Sequence, residues 1–312
     1  MGKMNIYNIY QWSLFFYIYC FFGWCIESAI VSISDRKLIN RGFLSGPLLP
    51  IYGTGAILVL FITLPCKDNI IAVYFVGMIG ATILEYITGW LMELIFKVKY
   101  WDYSYRKNQY KGRICLISSL FWGILSILLT ELIHNPIESY VLSLNQSFVI
   151  ISSIIITFVA VMDTITSIKA TIDINKLMEQ SENTLNQIKE LKEEIEFIIN
   201  NTTGQIYYLK DRNEREISEL TNRIKESVNT IKEKIEVLSN GIKKETTKFG
   251  FIKERLVKGH PTGYSTKFNY SYRDLKEDIL SRHLNVNKEI EDKRIIFFKK
   301  LEQIKNSNIN KK

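Results

Sequence analysis

I-I-A-V-Y-F-V-G-M-I-G-A-T-I-L-E-Y-I-T-G-W-L-M-E-L-I-F, residues 70–96, contains two carboxylates and no basic side chain. As a helix rising 1.5 Å per residue it reaches about 40 Å, enough for a hydrocarbon layer about 30 Å thick. It therefore reads as a membrane span. Four further apolar stretches surround it: about Leu14–Ile33, Pro47–Leu64, Ile114–Ile133 and Phe148–Ile168. Five spans are expected.

The remainder of the chain has a different composition. Through Ile168 there are 11 Lys/Arg and 9 Asp/Glu; the other 29 basic and 23 acidic residues follow. The first half is too apolar for a soluble domain, and the second is too charged to bury a large core. A single soluble globular domain is excluded. The expected fold class is all-α: a polytopic membrane helix bundle of residues 1–169 followed by a helical extension. That extension divides into a coiled-coil region (170–248), a loop (249–272) and a basic C-terminal helix (273–312). The first span, with only Lys3 ahead of it, Glu27 inside it and no A-x-A after it, is expected to stay as an uncleaved anchor.

Orientation follows from the basic residues between spans. Loops one and three hold Arg36, Lys37, Arg41, Lys97, Lys99, Arg106, Lys107, Lys111 and Arg113, whereas loops two and four hold only Lys67. By the positive-inside rule the N-terminus is outside and the C-terminus cytoplasmic, in a multi-pass protein of the cell membrane. Segment two is unusual because Gly46, Pro47, Pro50, Gly53 and Gly55 crowd its start. It is either broken and partly re-entrant or an ordinary short helix with proline in its first turn. Gly53-Thr54-Gly55 reads as helix packing rather than a phosphate loop.

Several motifs occur in order across this half: G-W-C-I-E (Gly23–Glu27), N-R-G-F-L-S-G-P-L-L-P-I-Y-G (Asn40–Gly53), L-E-Y-I-T-G-W-L-M-E (Leu84–Glu93), W-D-Y-S (Trp101–Ser104) and G-R-I-C-L (Gly112–Leu116). Together they resemble the ABC-transporter type IV family of CmpB-like membrane proteins, over roughly residues 10–170. The resemblance implies a permease-like membrane component. An ABC system needs an ATPase, and this sequence has no G-x-x-x-x-G-K-[ST], so the resemblance implies a separate ATPase subunit.

Acids inside apolar spans are costly and normally face a bundle interior. Glu27, Glu85, Glu93 and Asp163 are such residues. With the predicted orientation, Glu85 lies about 16 Å from the cytoplasmic face and the other three within about 10 Å of it. Together with Asn40 and Arg41, these acids make a candidate substrate-binding site, a cavity entered from the cytoplasm. The plain alternative pairs Glu93 with Lys97 and Glu27 with Arg41. Glu85 has no basic residue at its depth, which leaves a proton or cation as its partner. Glu85, Gly89 and Glu93 form one stripe, and the glycine would leave room for an ion, a water or a helix. In the third loop, Trp101, Tyr103, Tyr105, Arg106 and Lys107 alternate aromatic and basic character, as an anchor on anionic lipid would.

No metal site is expected, because Cys20, Cys25, Cys66 and Cys115 include no C-x-x-C and His134, His260 and His283 are far apart. No cofactor motif or catalytic residue is assigned, and an enzyme is not expected, although Glu85 and Glu93 would be the carboxylates of an intramembrane one. Beyond the membrane, Ile174, Ile188 and Ile195 occupy a positions with Leu177, Leu191 and Ile198 at d; Ser181 and Thr184 weaken one heptad. A second series has Thr221, Val228, Ile235 and Ile242 at a, with Ile217, Ile224, Ile231 and Leu238 at d. Coiled coil is expected, with homo-oligomerisation through it, and a turn or bend at Asn200–Gly204. The last helix, from about Arg273 to Ile304, is basic enough to suit the inner leaflet, and no motif supports nucleic acid. Two functions follow: a permease-like component with a cytoplasm-facing polar site for a small solute, ion or lipid, or a membrane-anchored coiled-coil scaffold or sensor.

Overall fold

Low charge and long apolar runs produce helices throughout the first half. The structure is a computed structural model that describes residues 7–209, 214–260, 263–268, 270, 272 and 275–309. The side chains of residues 203, 206–209, 214, 217, 300, 301 and 304–309 also lie outside the description. Lys3, Ile217 as a d residue and Arg273 as a helix start therefore fall outside the described residues, whereas the last helix runs past the expected end at Ile304 to Ile309. The fold class is all-α, and the chain is a multi-pass membrane protein.

Helix α1 (Ile9–Asp35) starts in a capping box between Asn8 and Gln11 and ends at Arg36, which adopts a left-handed φ of 53°. Helix α2 (Pro50–Thr63) has proline in its first turn and no interior break. Segment two is thus a regular helix, only about 21 Å long at 1.5 Å per residue. Asn69 caps α3 (Ile70–Phe96), and Lys97 ends it with φ 54°. Helix α4 (Leu116–Ile127) passes through a π-helical turn (Leu128–Ile133) into α5 (His134–Ser143). Pro136 has no N–H to return to the preceding turn, which accounts for the irregularity. Segment four therefore does not stop at Ile133 as expected: the helix continues, and the break comes at Leu144–Asn145. Helix α6 (Gln146–Leu209) then runs for 64 residues. Four helices are long and apolar enough to cross a membrane, within Ile9–Asp35, Ile70–Phe96, Leu116–Ser143 and Gln146–Thr202; Pro50–Cys66 is shorter.

Small residues set the helix separations in the first unit, which comprises Met1–Asn175 and Gly250–Arg273. A Cβ on Gly53 would lie 2.4 Å from Cys20 Sγ and 2.7 Å from Phe16 O, so α1 and α2 touch backbone to backbone. Between α3 and α4 the bare backbones of Gly77 and Gly123 instead seat side chains, Ser126 and the Tyr74 ring. Such close approach replaces the hydrophobic driving force that lipid does not supply. Tyr7, Leu14, Phe15, Tyr19, Ala56, Leu60, Val141 and Val149 form the buried cluster joining α1, α2, α5 and α6.

The stretch expected to be a loop holds a helix, α8 (Phe251–Gly259), and strand β4 (Tyr264–Ser265). Strand β4 pairs antiparallel with β1 (Val98–Lys99), Val98 opposite Ser265. A second ribbon, β2 (Gln109–Tyr110) with β3 (Ile114–Cys115), closes through Lys111 and Gly112 at φ 52° and 70°. Arg255 on α8 donates from Nη1 to Gly42 O (2.6 Å) and from Nη2 to Phe43 O (2.9 Å). Gly259 lies beneath Asn40, where a Cβ would be 2.5 Å from its carbonyl oxygen.

The second unit comprises Lys176–Phe249 and Asp274–Lys312. Here α6, α7 (Glu214–Thr247) and α9 (Leu275–Ile309) share a core of Ile188, Ile195, Ile231, Ile235 and Ile290. Of the turn or bent helix expected at Asn200–Gly204, the chain forms no turn there: the helix continues to Leu209. Those five residues are weak helix formers, but each costs at most about 1 kcal/mol. Ser181, which interrupts the heptads, is buried and sits 3.2 Å from His283 Nε2 of α9. Lys192–Glu289 and Lys293–Glu196 pair across α6 and α9.

Candidate functional site

The loop from Lys97 to Cys115 is shaped by its own side chains. Asp102 Oδ1 accepts from Ser104 N (3.0 Å) and Ser104 Oγ (2.6 Å), and Tyr103 N–H donates to Gly112 O (2.8 Å). Gly112 is required there because a Cβ would sit 2.2 Å from Asp102 Oδ1 at a positive φ. This turn sends Tyr103 inward, and its hydroxyl donates to Glu85 Oε1 (3.1 Å). Burial, followed by the neighbouring Glu85 carboxylate, pushes the Tyr103 phenol above its ordinary value, so it stays protonated and donates. Trp122 Nε1 on α4 donates to Glu85 Oε2 at 3.0 Å. Ser118 Oγ lies 3.3 Å from the same oxygen but 2.9 Å from Cys115 O, and its single proton serves one of them at a time. Among the described residues, no Lys, Arg or His bonds Glu85, which is 6% exposed.

Glu85 lies at the wall of a cavity of about 600 Å³ between α1, α2, α3, α4 and α5. The lining is mostly aliphatic and aromatic, with Tyr52 and Trp122 near the carboxylate and Tyr19, Pro136 and Ile137 among its other walls. The Tyr52 ring fits against the bare backbone of Gly23, and its hydroxyl donates to Glu27 Oε1 (2.7 Å). Glu27 Oε2 in turn lies 3.7 Å from Arg41 Nε. Glu27, Tyr52, Glu85 and Tyr103 thus meet at one side of the cavity, linked by Tyr52 packing on Trp122 with ring centroids 6.1 Å apart.

The other residues singled out from sequence occupy separate positions. Glu93 takes two bonds from Arg113, at 3.1 and 2.7 Å, and Arg113 also stacks over Tyr86 at 5.5 Å. Its partner is Arg113 rather than Lys97, because Lys97 caps α3 while the β2–β3 ribbon returns Arg113 over the helix. The space beside Gly89 is filled by Trp101 and Arg113 rather than an ion. Asp163 accepts from Ser45 N (3.0 Å) and Gly46 N (2.7 Å), so it holds the first loop. Asn40 braces the first loop: Oδ1 accepts from Trp24 Nε1 and Gly42 N, both at 2.8 Å, and Nδ2 donates to Ser45 O. Arg41 Nη1 donates to Gly259 O at 3.0 Å. Trp101 Nε1 donates to Arg113 O, whereas Tyr105, Arg106 and Lys107 are exposed, with Arg106 over the Tyr105 ring.

Motif residues Glu27, Tyr52, Glu85 and Tyr103 belong to this network, and Trp122 and Ser118 join it from outside the motifs. Residues 14–168 match the family model described as "Putative ABC-transporter type IV". The membrane half belongs to that family. No curated protein and no solved structure matches the chain. In this ABC-transporter type IV domain, each of the five motifs supplies contacts to the Glu85 side of the bundle or to the loops beside it. Gly23 makes room for Tyr52, Trp24 holds Asn40, and Cys115 and Ser118 cap α4.

Sequence reasoning missed a second polar cluster. His134, 1% exposed, has Tyr19 Oη 2.8 Å from Nδ1 and Tyr7 Oη 3.2 Å from Nε2, and Tyr7 also bonds Glu138. The signal was present as His134 and Glu138 at i, i+4 in an apolar helix. Their tyrosine partners, more than 100 residues away, left no trace in the sequence.

Proposed function

We propose that this chain is the membrane, permease-like component of a transporter, and that Glu85 and the cavity beside it hold the solute. The observation that carries the reading is a buried carboxylate at the wall of an apolar cavity, bonded only by neutral donors among the described residues. An acid retained at such a cost in an apolar helix marks a solute or ion path more often than packing. Binding, rather than catalysis, is the role assigned to it. The positive charge of loops one and three supports a cytoplasmic side at Glu27, Arg41 and Tyr103, with the N-terminus outside and the C-terminal region inside a cell membrane. The chain has no phosphate loop of its own, so a separate ATPase chain would drive any ATP-dependent step.

Two tests apply. Reporters fused after Asp68 and at Asn145 are expected to read outside, and those after Lys107 and Lys176 inside; a cytoplasmic signal at Asn145 would overturn the orientation. Glu85→Gln keeps shape and removes charge. It is expected to insert and purify as the parent does, yet fail to restore function to a strain lacking the gene. Full restoration at equal expression would refute a functional acid.

A second reading has its own support. Arg255, Gly259 and β4 return to the loops of the membrane half, which suits a sensor or scaffold whose extension reports on the bundle, with homo-oligomers formed through its helices. Wild-type function in a chain whose cavity is filled would favour this alternative.

A further inference from the structure

We infer that the cavity takes an organic cation with an apolar body, such as a lipophilic amine or quaternary ammonium or phosphonium compound. The inference rests on the reading of Glu85 and its cavity as the solute site, and it adds the chemical class of the solute.

A hydrogen-bond inventory of the wall carries the argument. The side-chain donors that line the cavity are all committed. Tyr52 Oη donates to Glu27 and Trp122 Nε1 to Glu85, and Ser126 Oγ donates to Trp122 O at 2.8 Å. Tyr19 Oη is paired with His134 Nδ1. What remains is acceptor capacity: a carboxylate has about four lone-pair directions, and at most three are used on Glu85. The faces of Tyr52 and Trp122 beside it are electron-rich and attract cations within about 6 Å of a ring centroid.

A wall that only accepts selects against anions. Ionised Glu85 repels them directly, whereas Glu27, one tyrosine away, is paired with Arg41 and adds little to that field. A bare metal ion is disfavoured for a different reason. Hard cations require six or more oxygens, and among the described residues no group of three or more His, Cys, Asp or Glu is placed to hold one. The rest of the wall, including Phe22, Ile26, Val59, Leu125 and Leu129, offers apolar surface to an organic body. A volume of about 600 Å³ is that of a drug-sized ligand site.

Tetraphenylphosphonium and tetraphenylborate provide the test, because they share one shape and carry opposite charge. Binding of each to the full-length protein in nanodiscs is measured by equilibrium dialysis, with protein-free discs subtracted. The phosphonium is expected to bind saturably and at least about tenfold more tightly than the borate, a difference of roughly 1.4 kcal/mol or more. Glu85→Gln is expected to reduce phosphonium affinity at least tenfold and to leave borate unchanged or improved. Gly55→Leu is the second variant: Gly55 lines the cavity, and a Cβ there meets only Leu84 Cδ2, at 3.7 Å. It fills the space without a clash, and its expected result is loss of phosphonium binding with Glu85 intact. Equal affinity for both ions, or wild-type phosphonium affinity in either variant, would overturn the inference. Phosphonium binding without Glu85-dependent flux of any cation in proteoliposomes would remove the permease reading and leave this one. Glu85-dependent flux of a neutral or anionic solute without phosphonium binding would do the reverse.

Discussion

Gly53→Leu is expected to prevent the membrane half from assembling. The first added carbon would lie 2.4 Å from Cys20 Sγ and 2.7 Å from the carbonyl oxygen of Phe16. Backbone cannot swing away as a side-chain tip can, so α1 and α2 must separate. Overpacking alone costs about 1–3 kcal/mol. Here it also withdraws Tyr52 from Gly23 and Glu27, so the total should exceed about 3 kcal/mol and consume much of a domain's stability. Size-exclusion profiles of a fluorescent fusion would show aggregate in place of a single peak. Gly55→Leu, two residues away, should keep the parental profile because its Cβ has room. Identical profiles for the two variants would contradict the helix contact described here.

Acidification is the second large effect. His260 is buried beneath Tyr100, with ring centroids 4.8 Å apart, and Nδ1 lies 3.0 Å from Leu256 O. Burial, followed by the positive field of Arg41 and then Arg255, pushes its pKa down to about 3. The unfolded value is about 6.5, so between these limits the unfolded segment binds a proton that the folded one refuses. Stability from this residue is therefore complete above about pH 6.5 and is lost as pH falls below it. By pH 5 the loss is about 2 kcal/mol, or roughly thirtyfold in the docking equilibrium. Protection factors for the amides of Phe251–Gly259, measured between pH 7.5 and 5, should fall by that factor. In His260→Phe, which keeps a ring against Tyr100, they should stay flat. The same pH profile in both proteins would exclude His260 as the cause.

Both results depend on contacts of unequal visibility in the sequence. Hydropathy over twenty residues exposes a span by itself, so α1, α3 and the start of α6 were legible from composition. The packing role of Gly53-Thr54-Gly55 was legible too, but not the division between a backbone contact at Gly53 and a cavity wall at Gly55. Of the acids, Glu27 was correctly offered Arg41, which lies 3.7 Å away. Glu93 was offered Lys97, its sequence neighbour, because the return of Arg113 depends on a ribbon with two positive φ values. Tyr103 read as a lipid anchor alongside Tyr105, since alternation cannot reveal that an Asp102–Ser104 turn points one inward. Arg255 and Gly259 read only as part of a loop and His260 only as a histidine without a ligand-spaced neighbour, as their partners are backbone atoms of Asn40, Gly42 and Phe43 or the ring of Tyr100.

The return of α8 and β4 to the first half also fixes an order of events during synthesis. Thr266 donates to Lys97 O from a position 169 residues downstream, and the intervening chain contains all of α7. At roughly 5–20 residues per second, the stretch between the last apolar residues and Thr266 takes several seconds or more to emerge. During that interval every apolar helix exists, while the carbonyls of Gly42 and Phe43 still lack the guanidinium that binds them later. A ribosome that stalls, or a protease that cuts, between residues 176 and 249 releases a chain with all its spans and without part of the unit they belong to. Quality control acting on nascent membrane proteins would encounter that incomplete species as an obligatory intermediate.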